Sequence, residues 1–308
     1  MTPSQPLRFV VIRNPVAGRR NPSLLRHTLA GLAAGGHQVE IHDTDRRGDA
    51  ERLARDARDD DRLRIVAAGG DGTINEVVNG LMLRNDDAPP PLGILPLGTA
   101  NVLAGELGLR PRSAAVVQAL TSATPTPVHV GRLRTASGTV RHFSLMAGAG
   151  FDAKVVAGVD GELKRRLGKG AYVWRSAVEM TRPVDALYAV DIDGVRHEAA
   201  SVIVTRASHY GGPYPIAPEA DLRLPGLSAC LFERGGRYNV LRYGAALVCG
   251  RLPRTAGFRV VPATSVGIVP LVNGHGHREP VQLDGDDAAD LPVTVDVAPR
   301  QLRLLMPG

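Results

Sequence analysis

A glycine-rich loop between a strand and a helix constrains the fold of this chain more than any other stretch. The apolar, β-branched run Leu63–Ala68 predicts a buried strand, and apolar residues recur at helical spacing from Ile74 to Leu81. The sequence Gly-Gly-Asp-Gly, with Asp71 as its only charged residue, separates the two runs. We therefore expect a strand, a tight turn and a helix N-terminus, which is an element of an α/β domain with a parallel sheet.

The same loop predicts an anion-binding site. Glycine lets the backbone approach an anion closely, and the N–H groups and dipole of a helix N-terminus favour negative charge. A carboxylate in such a cradle would repel a phosphate unless a cation lay between them, so Asp71 indicates a nucleotide phosphate with Mg²⁺. The alternative is an ordinary turn between strand and helix, and the four-residue loop alone leaves both interpretations open.

Length and charge limit the number of domains and the kinds of partner. The chain has 308 residues, a formal net charge of +6 and a pI of about 9.7. That length predicts two domains. Nearly all of the positive charge is arginine, which can bind nucleic acid, an anionic membrane surface or phosphate, or can lie on a solvated surface. Charge alone leaves these alternatives open, and the expected partners, an anionic membrane surface and no nucleic acid, depend on the family resemblance given below.

The cysteines and the hydropathy pattern predict where the protein works. Cys230 and Cys249 lie in apolar surroundings without metal-binding spacing, which indicates buried free thiols in a reducing compartment. The N-terminus has no secretory pattern, and no apolar run reaches the length of a membrane span. We expect a cytoplasmic protein whose membrane contact is peripheral.

The first 125 residues predict a nucleotide-binding α/β domain. Leu7–Ile12, His37–His42 and Leu63–Ala68 are predicted strands with helices between them, and such βαβαβ order favours a parallel sheet. Ligands of these sheets bind beyond the carboxyl ends of the strands. Asn14 and Thr44 lie there together with the Asp71 loop, so one nucleotide could contact all three.

A second strand-to-helix loop follows the predicted strand Leu92–Leu95. Here Thr99 or Asn101 could cap the next helix, or could contact a phosphate. A proline-rich stretch, Ala123–Pro127, then predicts a domain boundary. Short strands and turns, with a hairpin signal at Asp193-Gly194, indicate a mostly antiparallel β-sandwich over residues 126–298. Residues 299–308 form a last strand that could return to the first domain.

Several motifs in fixed order resemble the catalytic domain of the diacylglycerol kinase family. They are similar to its bacterial lipid-kinase branch, which is related to sphingosine and ceramide kinases. The match extends over nearly the whole chain. Its motifs are Asn14–Gly18, Gly69–Gly80, Gly98–Asn101, Ala149–Ala153, the basic segment Leu163–Tyr172, Tyr210–Gly212, Ala217–Ala220 and Leu283–Asp286.

This resemblance implies a lipid kinase with two domains and a cleft between them. The expected reaction transfers the γ-phosphate of ATP to a lipid hydroxyl, with a diacylglycerol-like lipid as the acceptor and ceramide or a sphingoid base as alternatives. A metabolite kinase of the NAD-kinase type and an inactive nucleotide-binding module are further alternatives, and a homodimer is one possible assembly. The implied nucleotide-binding residues are Asn14, Pro15, Gly18, Thr44, Gly69, Gly70, Asp71, Gly72, Thr73, Asn75, Glu76 and Thr99.

The acidic turn near the C-terminus supplies the candidate catalytic base. A lipid hydroxyl needs a proton acceptor, and the resemblance assigns this role to Asp284 or Asp286, with Asp71 acting through Mg²⁺. Alternate residues of an extended segment point to one side, so we expect both carboxylates on the same face. Without the resemblance, a solvent-exposed Asp-Gly turn would be the favoured interpretation.

The chain departs from the family pattern at four positions. Val102 replaces an Asp, and Arg206 stands where the family often has Asn. The stretch Asp221–Gly226 lacks the carboxylate that would help to hold a structural Mg²⁺, since Asp221 is out of register and Leu224 is apolar. The motif Asp-Gly-Glu is Asp284-Gly285-Asp286 here, with a side chain one methylene shorter.

A basic segment is the predicted edge for membrane docking. Lys154–Lys169 contains all three lysines and the pair Arg165-Arg166, and Tyr172 and Trp174 follow it. Basic side chains and interfacial aromatics suit an anionic headgroup layer. The alternative is a helix that packs its apolar residues into the sandwich. His275 and His277 are interpreted as exposed rather than metal-binding.

Overall fold

The computed structural model describes residues 5–18, 21–86, 88–158, 186–271 and 278–307. The chain divides into two compact units. The first contains Met1–Val128 together with Arg300–Gly308, and the second contains His129–Pro299. Throughout the described ranges, no helix combines the length and apolar character needed to cross a membrane.

The first unit is built on a parallel sheet with the order β2-β1-β3-β4. The strand β3 is buried along its whole length apart from one residue, because it carries Val, Ile and Ala with almost no polar side chains. The last strand of the chain continues the sheet, since Leu304 pairs with Leu92 in parallel. The four strands are β1 (Arg8–Arg13), β2 (Gln38–Asp43), β3 (Leu63–Gly69) and β4 (Leu92–Pro96).

Six helices of the described residues belong to this unit. Pro22 begins the second helix, and the side chain of Asn21 caps it by accepting from the amide of Leu24. The helix after the glycine loop buries Ile74, Val77 and neighbouring residues, as their spacing predicts. The helices are α1 (Pro15–Gly18), α2 (Pro22–Ala34), α3 (Asp49–Asp56), α4 (Asp71–Met82), α5 (Val102–Glu106) and α6 (Ser113–Ser122).

The second unit is a sandwich of two largely antiparallel sheets. One has the order β14-β13-β10-β7-β16-β17, and the other contains β18, β15, β8 and β9 with β5 and β6. A two-stranded ribbon, β11 (His209–Tyr210) and β12 (Tyr214–Pro215), lies apart from both. The remaining strands are β5 (Pro125–Thr135), β6 (Val140–Phe143), β7 (Met146–Ala149), β8 (Tyr188–Ile192), β9 (Val195–Ala199), β10 (Ser201–Thr205), β13 (Leu227–Phe232), β14 (Phe258–Ala263), β15 (Ser265–Pro270), β16 (Pro280–Leu283), β17 (Asp286–Asp290) and β18 (Val293–Leu305).

One hydrophobic core fills the space between the two sheets. Tyr188 and Phe143 are its largest side chains, and residues of both sheets contribute to it. Two helices flank the sheets, α7 (Phe151–Ala157) and α8 (Arg237–Val248). This architecture confirms the predicted α/β fold followed by a mostly antiparallel β-sandwich.

Some local predictions are confirmed and others need correction. Asp193 and Gly194 both have positive φ and join β8 to β9, which confirms the predicted hairpin. The predicted strand Val140–Met146 is instead two strands, β6 and β7. Cys230 is buried as predicted, but the prediction that Cys249 is buried is wrong, because Cys249 directly follows the last residue of α8 and is exposed. Lys164, Arg165, Arg166, Lys169, Tyr172, Trp174, His275 and His277 lie outside the described residues.

Candidate nucleotide site and acidic turn

The two glycine loops of the first unit meet at their backbones. The amides of Leu97 and Gly98 both donate to the carbonyl oxygen of Gly69, at 2.9 and 3.2 Å. A Cβ atom on Gly98 would lie 2.4 Å from the Cα atom of Gly70, which is closer than carbon atoms can pack. Glycine is therefore required at this contact, and the loops before α4 and α5 form one continuous backbone surface.

Asp71 links the two helices that begin at these loops. It is the first residue of α4, and its Oδ1 atom accepts a hydrogen bond from the amide of Leu103 at 3.1 Å. That amide belongs to the first turn of α5, whose N-terminus has no side-chain cap of its own. The sequence suggested Thr99 or Asn101 as caps, but the cap comes from Asp71, which lies 32 residues away along the chain. Two helix N-termini therefore flank one carboxylate, where the backbone favours negative charge.

Asn14 and Thr73 are brought together at the carboxyl end of β1. The Asn14 side-chain amide lies 3.4 Å from the hydroxyl of Thr73. The Oδ1 atom of Asn14 accepts from the amides of Val16 and Ala17, and so it also holds the first turn of α1. A Cβ on Gly69 would lie 2.4 Å from the Thr73 hydroxyl oxygen, so a larger residue at that position would displace Thr73.

Thr44 lies at the neighbouring strand end, as its sequence position predicts. Its amide donates to the carbonyl oxygen of Arg13 at 2.9 Å, directly after the parallel pairing of β1 with β2. Beside it, Arg13 forms a bidentate ion pair with Asp43. The hydrogen bond from Arg13 lowers the pKa of Asp43, because it stabilises the ionised carboxylate.

Other predicted nucleotide ligands have structural contacts. The Oε2 atom of Glu76 accepts from the amide of Ala50 at 3.1 Å, at the N-terminus of α3. The Oδ1 atom of Asn75 accepts from the side chain of Asn79 at 3.1 Å. Pro15 and Gly18 lie in α1, and Thr99 is exposed. The roles of Asn75, Glu76, Pro15, Gly18 and Thr99 in nucleotide binding stay predictions.

Asn101 is a residue that the sequence predicts either to cap α5 or to contact a phosphate, and its side chain does not cap the helix. Its backbone has φ 48° and ψ 48°, and its side-chain amide donates to the carbonyl oxygen of Gly98 at 2.9 Å. The Oδ1 atom is buried, and the described residues provide no hydrogen-bond donor for it. A buried acceptor without a partner is costly, so a hydroxyl group of a ligand bound at this loop would fit it. An Asn between a strand loop and a helix is a signal for this conformation, because Asn tolerates positive φ.

The acidic turn of the second unit is a tight hairpin between β16 and β17. Asp284 and Gly285 have φ values of 50° and 85°. Both oxygens of the Asp284 carboxylate accept hydrogen bonds, from the amide and hydroxyl of Ser144 and from the amides of Leu145 and Met146, at 2.8 to 3.0 Å. Asp284 is 7% exposed. The expectation that Asp284 and Asp286 share one face of an extended segment is wrong, because Asp284 is in a left-handed turn.

A buried polar network supports the same turn. The amide of Gly285 donates to Oε1 of Gln282 at 2.8 Å, and Nε2 of Gln282 donates to Asp152 at 2.9 Å. The hydroxyl of Tyr210 also donates to Asp152. Burial raises the pKa of Asp152, and the hydrogen bonds from Tyr210 and Gln282 oppose that rise.

The loop where the family would hold a structural Mg²⁺ contains a guanidinium group instead. Arg206 is 2% exposed, and its Nη2 atom donates to the carbonyl oxygens of Leu222 and Leu224 at 2.9 and 2.7 Å. Its Nη1 atom donates to the carbonyl oxygen of Gly226. Burial lowers the pKa of Arg206 to about 10, so the side chain stays positively charged at neutral pH.

These residues do not fit a divalent ion. The carbonyl oxygens are already occupied by a cation, and the carboxylate of Asp221 is bound by Arg223. Among the residues that the structure describes, no cluster of three or more His, Cys, Asp or Glu side chains could hold a metal ion. This loop therefore offers no site for a divalent ion.

Sequence families match both parts of the chain. The diacylglycerol kinase catalytic domain matches residues 8–133. The YegS C-terminal NAD kinase beta sandwich-like domain matches residues 146–306.

Curated relatives agree with these matches. The chain is 38% identical over 148 residues to a Chromohalobacter salexigens protein named "Probable lipid kinase YegS-like", spanning 48% of this chain and 46% of that protein. It is 33% identical over 221 residues to the protein of Bacillus subtilis named "Diacylglycerol kinase", spanning 70% of each chain. The chain thus spans about half of the first relative and 70% of the second.

A solved structure has the same fold. A crystal structure described as a diacylglycerol kinase from Bacillus anthracis aligns with a TM-score of 0.75 and 23% identity, over 98% of both chains. The family matches and the Bacillus subtilis relative show that this chain belongs to the diacylglycerol kinase catalytic-domain family of YegS-type lipid kinases.

Proposed function

We propose that this protein transfers the γ-phosphoryl group of ATP to the hydroxyl group of a diacylglycerol-like lipid. The observation that carries the proposal is the joined backbone surface of the two glycine loops, with Asp71 between the N-termini of α4 and α5. Phosphoryl transfer depends mainly on positioning and on neutralising charge, and this arrangement is suited to both.

The residues at the strand ends divide into two groups in this proposal. The amides of Gly70 and Gly72 and the N-terminus of α4 face the phosphates, because a helix N-terminus presents unpaired N–H groups. Asn14 and Thr44 contact the nucleoside side. Asn101 supplies the buried acceptor for a hydroxyl group.

Asp71 would hold Mg²⁺ together with the phosphates. The Oδ1 atom is fixed by the amide of Leu103, which sets the orientation of the carboxylate. A magnesium ion bound in this way usually has one or two protein carboxylates and several phosphate or water oxygens. The bound metal would neutralise charge on the transferred phosphoryl group.

We assign the proton acceptor to Asp286 and a positioning role to Asp284. The lone pairs of the Asp284 carboxylate already accept four hydrogen bonds, so an incoming proton would have to displace one of these donors. Asp286 begins β17, two residues after the residue that anchors the turn, and it is partly exposed. The anchor therefore fixes the backbone from which Asp286 extends.

The names of the relatives support a lipid acceptor. The Bacillus subtilis relative is named a diacylglycerol kinase, and the relatives from other bacteria are named lipid kinases. Ceramide and sphingoid bases remain alternatives, because they also present a hydroxyl group near a membrane surface.

A panel of acceptors with labelled ATP tests the proposal. Diacylglycerol, monoacylglycerol, ceramide, a sphingoid base and NAD⁺ are each incubated with the protein, and labelled product and ADP are measured. We expect labelled lipid with diacylglycerol or a close relative and no labelled NAD⁺. Labelled NAD⁺ without labelled lipid would support a metabolite kinase. ATP binding without any acceptor-dependent ADP would support an inactive binding module.

A further inference from the structure

Helix α8 packs on the sandwich through one buried aromatic side chain and a hydrogen bond from Arg242 to the carbonyl oxygen of Ala256. Of its twelve residues, Tyr243 alone is buried. The ring of Tyr243 packs edge-on against Phe232, with centroids 5.2 Å apart, and its hydroxyl donates to the carbonyl oxygen of Gly257 at 2.8 Å. The guanidinium of Arg242 lies 4.9 Å from the centre of the same ring. These contacts fix the rotation of the helix about its axis.

The opposite face of α8 is apolar and exposed. Tyr238, Leu241 and Val248 are 76%, 59% and 66% exposed. Ala245, between the last two, is also exposed. Their spacings of three, four and three residues place them on one side of an α-helix. The other long helices bury their apolar residues, as α2 does with Leu24, Leu25 and Leu32. A row of large apolar side chains in water indicates a surface that something else covers.

The part of the sequence that contains α8 has charged residues of one sign. The sequence from Arg234 to Arg278 contains no Asp or Glu. Arg234 and Arg237 flank the N-terminus of α8, and Arg251 and Arg254 follow its C-terminus. All four side chains are exposed. A helix with an apolar face, a tyrosine and basic ends is typical of the boundary between headgroups and acyl chains of an anionic bilayer.

We propose that this face docks the protein onto the surface of an anionic membrane. The docking face consists of Tyr238, Leu241, Ala245 and Val248, and its basic rim consists of Arg234, Arg237, Arg251 and Arg254. The side chains of the face enter the interface, and the arginines bind lipid phosphates. The inference rests on the proposed function, because a lipid acceptor is presented to the enzyme in a bilayer. None of these eight residues belongs to the basic segment Lys154–Lys169.

The test measures binding to lipid vesicles, without any turnover. The full chain is sedimented with vesicles of phosphatidylcholine alone and with vesicles containing phosphatidylglycerol, at low and high salt. We expect binding that depends on phosphatidylglycerol and weakens as salt screens the arginines. The triple variant Tyr238→Ser, Leu241→Gln, Val248→Gln should bind at least about tenfold more weakly.

Matched controls come from the same unit. Val195 is 59% exposed on β9, so Val195→Gln removes a comparable apolar side chain from another surface and should leave vesicle binding unchanged. Each of Arg237→Gln, Arg251→Gln and Arg254→Gln should weaken binding about fivefold. Arg196→Gln, at an exposed arginine of β9, should have no effect.

Three results would overturn the docking surface. The triple variant could bind vesicles as tightly as the parent protein, or the parent could show no preference for phosphatidylglycerol. The variant could also convert a dimer into a monomer, by sedimentation equilibrium, with vesicle binding unchanged, which would mean that a second copy covers the face.

Turnover of a soluble short-chain diacylglycerol separates the two proposals. If that turnover persists in the triple variant while vesicle binding is lost, both proposals stand. If no lipid is phosphorylated while vesicle binding follows the expected pattern, the proposed function fails and the docking surface stands. If the parent phosphorylates short-chain lipid while the triple variant keeps full vesicle binding, only the docking surface fails.

Discussion

The guanidinium of Arg206 donates to the carbonyl oxygen of Leu224 at 2.7 Å, inside the loop where relatives are expected to hold a metal ion. The same group also donates to the carbonyl oxygens of Leu222 and Gly226. A side chain that carries its own positive charge thus neutralises several carbonyl dipoles at once. Leu224 lies in the stretch where the family resemblance implies a carboxylate, and its apolar side chain is consistent with a loop that binds no divalent ion.

Arg206→Asn should lower the free energy of unfolding by about 3 kcal/mol or more, because it leaves buried carbonyl groups without donors. Urea unfolding at neutral pH measures this change. The control is Arg196→Asn at an exposed arginine of the same unit, which should change stability by less than about 0.5 kcal/mol.

Magnesium chloride without nucleotide should leave the unfolding midpoint of the parent protein unchanged, since Arg206 fills the loop. A midpoint that rises with Mg²⁺ and falls with chelator, both in the parent protein and in Asp71→Asn, would show that a metal does bind in this loop.

Asp71→Asn should reduce phosphoryl transfer by at least about 100-fold, because the amide cannot supply the charge that holds Mg²⁺ near the phosphates. The Oδ1 atom of Asn can still accept from the amide of Leu103, so the variant should keep its fold. Turnover and circular dichroism are measured together. Asp56→Asn, at an exposed end of α3, is the control and should keep full turnover. Near-normal turnover in the Asp71 variant would remove this residue from the metal site.

Asp286→Asn and Asp284→Asn should fail in different ways. Loss of a general base typically lowers kcat by about 10²–10⁴-fold, so Asp286→Asn should show that loss with unchanged stability. Asp284→Asn places an amide N–H against donors from Ser144, Leu145 or Met146, and it should therefore lower stability by about 1–3 kcal/mol.

Chemical denaturation and pH–rate profiles separate the two roles. The acidic limb of the kcat profile should disappear in Asp286→Asn and persist in whatever activity Asp284→Asn retains. The opposite pattern would identify Asp284 as the proton acceptor.

Gly98→Ala should disrupt the contact between the glycine loops, since the new Cβ would lie 2.4 Å from the Cα atom of Gly70. We expect both a lower unfolding midpoint and at least about tenfold weaker ATP binding, because backbone at both loops must move. Thermal unfolding and calorimetric titration with ATP measure the two effects. Gly105 provides the control, since a Cβ there meets no atom within 4 Å. Gly105→Ala lies inside α5 and should raise stability by about 0.5–1 kcal/mol without changing ATP affinity.

Local sequence patterns were sufficient to predict the parallel strands of the first unit. The parallel strands are short apolar runs followed by turns, and residues after them include Asn14 and Thr73, which the structure brings together, and Asp71, which caps α5. Local patterns failed where the contacts connect distant positions. The Asp284 carboxylate binds the amide of Ser144, which is 140 residues away along the chain. No local signal shows that the carboxylate turns inward.

Strand β17 shows a second reason for failure. Its sequence is Asp-Asp-Ala-Ala-Asp, which has almost no β propensity, and it becomes a strand because β16 pairs with it at the edge of a sheet. Arg206 is a third case. A charged residue after an apolar strand predicts a surface position, yet carbonyl oxygens from a later loop satisfy it in the interior.

His142 is a buried histidine of β6 that pairs with Arg132 of β5. Burial lowers the pKa of His142 to about 4, and the positive charges of Arg132 and Arg141 add to this effect, while Asp296 opposes it. The unfolded chain therefore binds a proton on this side chain at a higher pH than the folded protein does. As a result, the contribution of the neutral His142 side chain to the free energy of unfolding is complete above about pH 6.5. This contribution is lost as the pH falls toward 4.

The loss should reach about 3 kcal/mol at pH 4, since one pKa unit corresponds to about 1.36 kcal/mol. Urea unfolding measured from pH 7 to pH 4 follows it directly. In His142→Gln, the free energy of unfolding should no longer show the decrease between pH 6.5 and 4 that this histidine contributes, whatever the absolute stability of that variant. His27 is exposed on α2, so His27→Gln should keep the slope of the parent protein. An unchanged slope in His142→Gln would assign the acid sensitivity of the fold to its carboxylates rather than to this histidine.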